Sequence, residues 1–171
     1  MANKLKSIDP ALLTDNVFKL LDKNWMLITA GTMDSFNMMT ASWGGMGVLW
    51  GKKVALCVIR PGRHTFGFVE RHPVFTLTFY DEKYRPALNL CGSKSGRDIN
   101  KAREAGLTPV AAPNGGIYFD EARLALECRK LYWHDLDPEK FLDPGIERNY
   151  PNKDYHRMYV GEIVACLEAV K

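Results

Sequence analysis

The sequence predicts a mainly β fold with a few inserted helices, and two observations support this prediction. Runs rich in valine, isoleucine, threonine and tryptophan recur along the chain between turn residues. Helix caps occur at only a few places between those runs. Short strands with occasional helices are typical of a barrel with helical decoration. The 171 residues, 46% hydrophobic and 25% charged, are expected to form one domain over residues 1–171.

The first predicted element is an amphipathic helix over Asp9–Lys23. Asp9 followed by Pro10 resembles an N-cap with proline at the first helical position. Apolar residues then recur at helical spacing. They are Leu13, Val17, Leu20 and Leu21.

Six later segments have the composition of strands, because β-branched and aromatic residues favour a pleated, half-buried surface. The predicted strands are Met26–Thr32, Met38–Trp43, Lys53–Ile59, Val74–Phe79, Ala122–Trp133 and His156–Leu167.

Three further helices are predicted between the strands. Thr65 is a candidate N-cap for a helix that ends at Arg71, before His72-Pro73. A short helix is expected over Arg85–Leu90. The segment 95–98 has a capping-box pattern, and Gly106 suits the C-terminus of the helix that follows. The segment 113–116, Pro-Asn-Gly-Gly, is a predicted turn.

Composition argues against several classes of protein. The net charge of +3 and the scattered basic residues do not indicate a nucleic-acid partner. No apolar run approaches the ~20 residues of a membrane span, and residues 1–6 do not resemble a signal peptide. We therefore expect a cytoplasmic protein without a membrane partner.

The four cysteines are far apart in the sequence and form no Cys-x-x-Cys pair, so neither a metal site nor a disulfide is expected. Cys57, Cys128 and Cys166 are predicted to be buried thiols in strands. Cys91 is predicted to lie in a polar, glycine-rich loop, and its role stays open. Gly-x-Gly-x-x-Gly is absent, so a Rossmann nucleotide site is not indicated.

Three segments have residues suited to a flat ligand that carries a phosphate. The first, 37–45, ends a strand in small polar residues and glycines, which allow the backbone to approach a ligand closely. The second, 60–65, places Arg60 and Arg63 before a predicted helix start, where anions bind. The third, 91–101, offers hydroxyls, backbone amides and Lys101. The alternatives are a glycine-rich turn, a solvent-exposed basic turn and a capped helix without a ligand.

His156 begins the last predicted strand, where it could face a ligand. The alternative is an exposed residue at a strand end. Apolar alternation from Met158 onward supports the strand itself.

In this order the segments resemble the flavin reductase-like, FMN-binding split-barrel family, with flavoredoxin-type proteins as the nearest branch. The resemblance covers residues 25–164. Its motifs are Asn-x-x-Thr-x-Ser (Asn37, Thr40, Ser42), an arginine–threonine segment (Arg60, Arg63, Thr65), Ser-Gly-Arg-Asp with a following lysine (Ser95–Asp98, Lys101), and a late signature (His156, Gly161, Glu162, Ile163). Tyr155 separates Asp154 from His156, which departs from the family pattern.

The resemblance implies a split β-barrel that binds FMN and forms a homodimer with the flavin near the interface; FAD is a further possible ligand. It also implies hydride transfer from NADH or NADPH to flavin N5, with free flavin as a possible substrate. The alternative is an electron carrier that serves a partner protein. The implied cofactor-binding residues are Thr40, Ala41, Ser42, Trp43, Arg60, Arg63, Thr65, Cys91, Gly92, Ser95 and Lys101. His156 is the implied catalytic residue, facing the nicotinamide or the open side of the flavin.

Overall fold

The computed structural model describes residues 5–170; Met1–Lys4, part of the segment in which no signal peptide is expected, lie outside this range. The strands are β1 Leu5–Ser7, β2 Met26–Thr32, β3 Ser35–Ala41, β4 Gly44–Leu49, β5 Lys52–Ile59, β6 Val74–Phe79, β7 Pro109–Ala111, β8 Ile117–Phe119, β9 Leu124–Asp135 and β10 Arg157–Ala169. The α-helices are α1 Val17–Lys19, α2 His64–Arg71, α3 Arg85–Ser93 and α4 Lys101–Ala105. Short 3-10 helices occupy Pro10–Leu12, Glu82–Tyr84, Pro138–Lys140 and Pro144–Asn149.

One antiparallel sheet organises the fold. Its strand order is β3-β2-β6-β9-β10-β5-β4, with β1 added to β10, and β7 and β8 form a separate pair. Strands β3 and β4 follow each other in the chain but lie at opposite ends of this order. Because no hydrogen bonds join them, the curved sheet stays open along that line. The fold is therefore a mainly β split barrel with inserted helices, as the sequence predicts.

Both faces of β2 are buried, which places it between two parts of the core. Ile28 lies in the larger cluster, with Phe75 and Tyr159. Its neighbour Leu27 lies in a second cluster beneath α3 and α4, with Leu88. Alternate residues of a strand face opposite sides, so β2 joins the barrel interior to the helical layer.

Strand β10 is the long strand that connects the two halves of the barrel. It pairs with β9 along most of its length and with β5 through residues 157–162. At Gly161 a Cβ would lie 2.7 Å from both Phe75 Cζ and Cys128 Cβ. Only glycine lets the strand pass this close to the core.

The predicted N-terminal helix Asp9–Lys23 is wrong as a continuous element. Asp9 does cap a helix with Pro10 at its start, but this is the 3-10 turn Pro10–Leu12. The chain then restarts at Asn16, whose side chain accepts a hydrogen bond from Lys19 N–H. Helix α1 continues into a π-helical turn, Leu20–Asn24. The polar residues at 14–16 cap a new helix instead of extending the old one.

No helix within residues 5–170 is both long and apolar enough to cross a membrane. In the same residues, no group of three or more histidine, cysteine or acidic side chains is placed to bind a metal ion.

Candidate functional site

A cleft of about 230 Å³, here the main cleft, opens where β3 ends and the sheet is split. Its lining residues come from the end of β3, the end of β5, the start of α2 and the residue before β10. They are Met39, Thr40, Ala41, Ser42, Trp43, Val58, Arg60, Arg63 and His156. Five residues of the first predicted segment, Met39 to Trp43, therefore meet Arg60, Arg63 and His156 in space.

Local contacts fix the β3 end of the main cleft. Thr40 Oγ1 donates a hydrogen bond to Leu88 O, which ties the strand to α3. At Gly44 a Cβ would lie 2.3 Å from Leu56 O, so glycine is required where the chain turns against β5. Ser42 and Trp43 are held between these two anchors, and Trp43 keeps about half its surface exposed.

A second pocket of about 170 Å³, here the basic pocket, adjoins the main cleft through Arg63. It lies between the start of α2 and the segment from α3 to α4. Its lining residues are Gly62, Arg63, His64, Thr65, Gly92, Ser93, Lys94, Ser95, Arg97 and Lys101. The second and third predicted segments are therefore brought together.

Arg63 is the N-cap residue of α2, and no side-chain cap closes that helix end. Its guanidinium Nη2 donates to Gly92 O at 3.1 Å. Within residues 5–170 no carboxylate lies within 4.0 Å of this group. Burial lowers the pKa of Arg63, and the neighbouring charge of Arg60 lowers it further. An uncapped helix start beside a half-buried, uncompensated guanidinium favours an anion.

Lys101 is the first residue of α4, and its side chain is buried. Its Nζ donates to Met38 O and to Cys91 O, both at 2.8 Å. Neither partner is charged, so the ammonium has one further N–H and an uncompensated charge. Burial lowers the pKa of Lys101 to about 8; Cys91 opposes this shift, and Arg63 adds to it.

The basic side chains of this region lie close enough to affect one another. Burial lowers the pKa of His64, and the charges of Arg97, Lys101 and Arg71 lower it further. His64 is therefore neutral near pH 7. The basic pocket therefore has the positive charge and the hydrogen-bond donors that a phosphate group requires.

His156 lies immediately before β10 and is buried. Its Nδ1 is 2.8 Å from Tyr150 Oη, and its ring centroid is 5.2 Å from that of Trp43. Burial lowers the pKa of His156 to about 4; Arg60 adds to the shift, and Asp154 opposes it. The imidazole therefore faces the main cleft as a neutral group at physiological pH.

Arg60 lies at the His156 end of the main cleft and does not line the basic pocket. Its Nη1 forms an ion pair with Asp154 at 2.6 Å, and its Nη2 donates to Asn149 O at 2.8 Å. Asp154 thus has a partner despite the altered signature at Tyr155. These contacts tie the loop between β9 and β10 to the end of β5.

Three local predictions in the basic pocket are wrong, although the residues concerned lie there or beside it. Thr65 is inside α2 and does not cap it; its buried hydroxyl accepts from Asn37 Nδ2 at 2.8 Å. Cys91 is not in a loop but within α3. Burial raises the pKa of the Cys91 thiol to about 11, and the group that contacts Lys101 is the backbone carbonyl.

The capping box at 95–98 is the third wrong prediction. Ser95 Oγ accepts from Arg97 N–H within a turn, and the N-cap of α4 is Asn100, which accepts from Arg103 N–H at 3.1 Å. Gly106 does end that helix with a left-handed φ of 65°. Ser95 still lines the basic pocket.

Two residues at the main cleft, Val58 in its lining and Tyr150 beside His156, were not predicted from the sequence, and Tyr150 has the closer contact with a predicted site residue. It follows the irregular segment 136–149, which contains four acidic residues and two prolines and in which no periodic pattern marks a buried side chain. Its proximity to His156, six residues later, is the only signal in the sequence.

Solved structures share this fold at low sequence identity. An FMN-binding domain of a flavin reductase-like enzyme from Shewanella baltica OS155 superposes with a TM-score of 0.71 and 17% identity, over 99% of this chain and 79% of that one. Flavoredoxin of Desulfovibrio vulgaris (Miyazaki F) gives 0.67 and 19%, over 96% and 78%. An NADH:FAD oxidoreductase from Streptomyces globisporus C-1027, solved with NAD and FAD fragments, gives 0.63 and 14%, over 85% and 74%.

A search of curated proteins finds no match. The family model of the flavin reductase like domain matches residues 19–170, a range that holds the whole main cleft and basic pocket. This chain therefore belongs to the flavin reductase-like family.

Proposed function

We propose that this protein binds FMN across the main cleft and the basic pocket and acts as an NAD(P)H-dependent oxidoreductase of the flavin reductase type. The main support for this proposal is a pair of cations: Arg63, which lines both pockets, and Lys101, which lines the basic pocket. Arg63 is half-buried and Lys101 is buried, and within residues 5–170 neither forms an ion pair with a carboxylate. A buried charge is costly unless it is paired, so the site favours a ligand with a compact anionic group.

The dimensions and donors of the site fit such a ligand. An FMN phosphate carries a charge of about −1.5 to −2 near neutral pH. Arg63, the third N–H of Lys101 and the uncapped start of α2 supply donors for it. At Gly92 a Cβ would lie 3.3 Å from Thr40 Cβ, so glycine lets α3 pack closely against the end of β3 beside the two pockets.

The proposed roles follow from position. Thr40, Ala41, Ser42 and Trp43 line the ring and ribityl part of the ligand. Arg63, Gly92, Ser95 and Lys101 surround the phosphate, whereas Thr65 and Cys91 support that pocket, and Arg60 holds the loop beside His156. When bound, FMN would supply the redox chemistry by accepting a hydride at N5. The protein would orient the flavin and provide its local electrostatic environment.

FAD is a second candidate ligand, and an observation at the phosphate end supports it. A polar cleft of about 490 Å³ shares His64, Arg97 and Lys101 with the basic pocket. A ligand longer than FMN would find space and positive charge there. One structural neighbour is an NADH:FAD oxidoreductase.

An electron carrier without its own nicotinamide substrate is the alternative function. The similarity to flavoredoxin favours it, as does the absence of a nucleotide-binding motif from the sequence. Such a carrier exchanges electrons with a partner protein, and a fold does not decide between the two roles.

We also propose a homodimer. Strand β4 has a free edge, and its hairpin with β5 exposes Val48, Leu49 and Trp50. Trp50 contacts Tyr132, which is also exposed, at 6.2 Å between ring centroids. Adjacent exposed apolar side chains are typical of an interface, and an isologous pair is the commonest assembly.

Anaerobic reduction of the FMN-loaded protein separates the two functions. We expect NADH or NADPH to bleach the flavin absorbance band rapidly at saturating nicotinamide. Reduction by dithionite but by neither nicotinamide would reject the reductase and leave the electron carrier. Running both nicotinamides in parallel identifies the preferred reductant.

Replacing His156 with alanine is expected to slow flavin reduction by NAD(P)H and leave FMN affinity nearly unchanged. The imidazole lines the main cleft and not the basic pocket, so its loss is expected to remove no phosphate contact. Stopped-flow reduction and FMN titration measure the two effects. His134→Ala on exposed β9 is the matched control. Reduction rates that stay unchanged in the His156 variant would return this residue to a purely structural role.

A further inference from the structure

Tyr150 and His156 form a buried pair beside the main cleft. Tyr150 ends the 3-10 turn Pro144–Asn149 and is 3% exposed. Its Oη lies 2.8 Å from His156 Nδ1, with the two rings nearly perpendicular and 5.4 Å apart between centroids. Within residues 5–170 this nitrogen is the one hydrogen-bond partner of the phenol oxygen.

The single proton of the phenol determines which nitrogen of His156 is protonated. Burial raises the pKa of Tyr150, so the hydroxyl keeps its proton at neutral pH. A buried hydroxyl needs an acceptor for that proton, and His156 Nδ1 is the acceptor present. When the phenol donates this proton to Nδ1, that nitrogen is unprotonated. The one N–H of the neutral imidazole is then at Nε2.

The Nε2 atom has no hydrogen-bond partner among the described residues. Within residues 5–170, the fully buried side-chain atoms that lack a hydrogen-bond partner are Thr29 Oγ1 and Arg85 Nη1. Because Nε2 has no partner and is not one of them, it keeps some contact with solvent. Because His156 lines the main cleft and Trp43 covers one side of its ring, the free N–H is available to a ligand in that cleft. Burial lowers the pKa of His156 to about 4, so this donor is uncharged.

Arg60 holds Tyr150 in this position. Its guanidinium carbon lies 5.0 Å from the centroid of the Tyr150 ring, in a cation–π contact. The same group donates to the carbonyl of Asn149 and pairs with Asp154. Asn149, immediately before Tyr150, and Asp154, two residues before His156, are thus both fixed to the end of β5. The charged groups that face His156 are Arg60 and Asp154.

We propose that Tyr150 is a positioning residue: it fixes His156 as a neutral Nε2–H donor, and this donor binds the carboxamide oxygen of a dihydronicotinamide. The second half of this proposal rests on the proposed function. A neutral N–H pairs well with the carbonyl oxygen of an uncharged amide, whereas the reversed tautomer would present a lone pair to it. The side chain thereby selects a ligand with a carbonyl acceptor at this end of the cleft.

Tyr150→Phe tests the proposal, with Tyr155→Phe as the matched control. Phenylalanine keeps the ring packing and removes only the hydroxyl. Tyr155 lies in the same loop, and its hydroxyl donates to Glu147 at the surface. Imidazole ¹⁵N NMR of histidine-labelled protein reports the tautomer directly. We expect the Nε2–H form in the wild type and in Tyr155→Phe, and a shift toward Nδ1–H in Tyr150→Phe.

The kinetic readout is anaerobic flavin reduction over a range of NAD(P)H concentrations. In Tyr150→Phe we expect the apparent nicotinamide dissociation constant to rise about five- to tenfold, as loss of one neutral hydrogen bond predicts. FMN affinity should be unchanged in both variants. A circular dichroism spectrum and melting temperature like those of the wild type show that the variant is folded.

The outcomes separate the positioning role of Tyr150 from the contact between His156 and the carboxamide. An Nδ1–H tautomer in the wild type, or no tautomer change in folded Tyr150→Phe, overturns the positioning role. A tautomer change without any change in nicotinamide affinity overturns the carboxamide contact. If neither nicotinamide reduces the wild-type flavin, the proposed function fails and the carboxamide contact fails with it, while the NMR result still decides the role of Tyr150.

Discussion

Replacing Arg63 with alanine is expected to weaken FMN binding by about 30-fold to a few thousand-fold and to change riboflavin binding little. Truncating one partner of a buried charged pair costs roughly 2–5 kcal/mol, and about 1.4 kcal/mol corresponds to a tenfold change in affinity. Arg63 lies at the junction of the two pockets, where its guanidinium has only the Gly92 carbonyl as a partner within residues 5–170. Titration calorimetry with each flavin measures the difference.

Riboflavin provides the internal control, because it has the same ring and ribityl chain but no phosphate. Arg129→Ala is the matched variant: it removes an exposed arginine on β9, outside both pockets. Equal losses for FMN and riboflavin would indicate general damage to the fold. No loss for either flavin would make Arg63 an ordinary structural arginine.

Replacing Lys101 with methionine is expected to weaken FMN binding about 10- to 150-fold, again with a smaller effect on riboflavin. Hydrogen bonds to charged groups contribute about 1.5–3 kcal/mol, which corresponds to that range. The Lys101 ammonium is already oriented by Met38 O and Cys91 O, so little side-chain entropy is lost when a phosphate takes its remaining N–H. Fluorescence titration of each flavin measures the effect.

The same lysine gives the FMN affinity a pH dependence. Because burial lowers the pKa of Lys101 to about 8, the free protein loses this charge as the pH rises from about 7 to 9.5. FMN affinity should fall over that interval, while riboflavin affinity should stay level. Cys91 does not contribute, since burial raises its thiol pKa to about 11. The pH dependence should disappear in Lys101→Met.

Two further variants separate charge from folding at this position. Lys101→Arg keeps the charge and should retain more FMN affinity than Lys101→Met. Lys83→Met removes a lysine that lies outside the basic pocket, and it should leave both flavin affinities unchanged. A pH-independent FMN affinity in the wild type would show that the Lys101 ammonium does not contact the phosphate.

The strands of the barrel were largely predictable, because their side chains carry the signal locally. The predicted boundaries of β2 and β6 coincide with the observed ones, and both are continuous runs of buried apolar and threonine residues. Strand β4 was not predicted. It contains three glycines and has an exposed edge, so neither propensity nor burial marks it.

The predicted site segments meet at the two pockets, but their local geometry was less predictable. Thr65 and Ser95 are residue types that favour helix N-caps, yet tertiary contacts decide which hydrogen bonds their hydroxyls form. Thr65 accepts a hydrogen bond from Asn37, which lies 28 residues away in the sequence. The helix after Ser95, α4, has Asn100 as its N-cap. Partners distant in sequence outweigh a local cap preference, and a single sequence does not reveal them.

Titration of the wild-type protein with FMN and riboflavin, after removal of any co-purified flavin, tests the central claim most directly. The claim is that the main cleft and the basic pocket form one binding site for a phosphorylated flavin. We predict one FMN per chain, with a dissociation constant in the micromolar range or below and clearly weaker riboflavin binding. Absence of FMN binding at micromolar concentrations, or equal affinities for the two flavins, would contradict the claim.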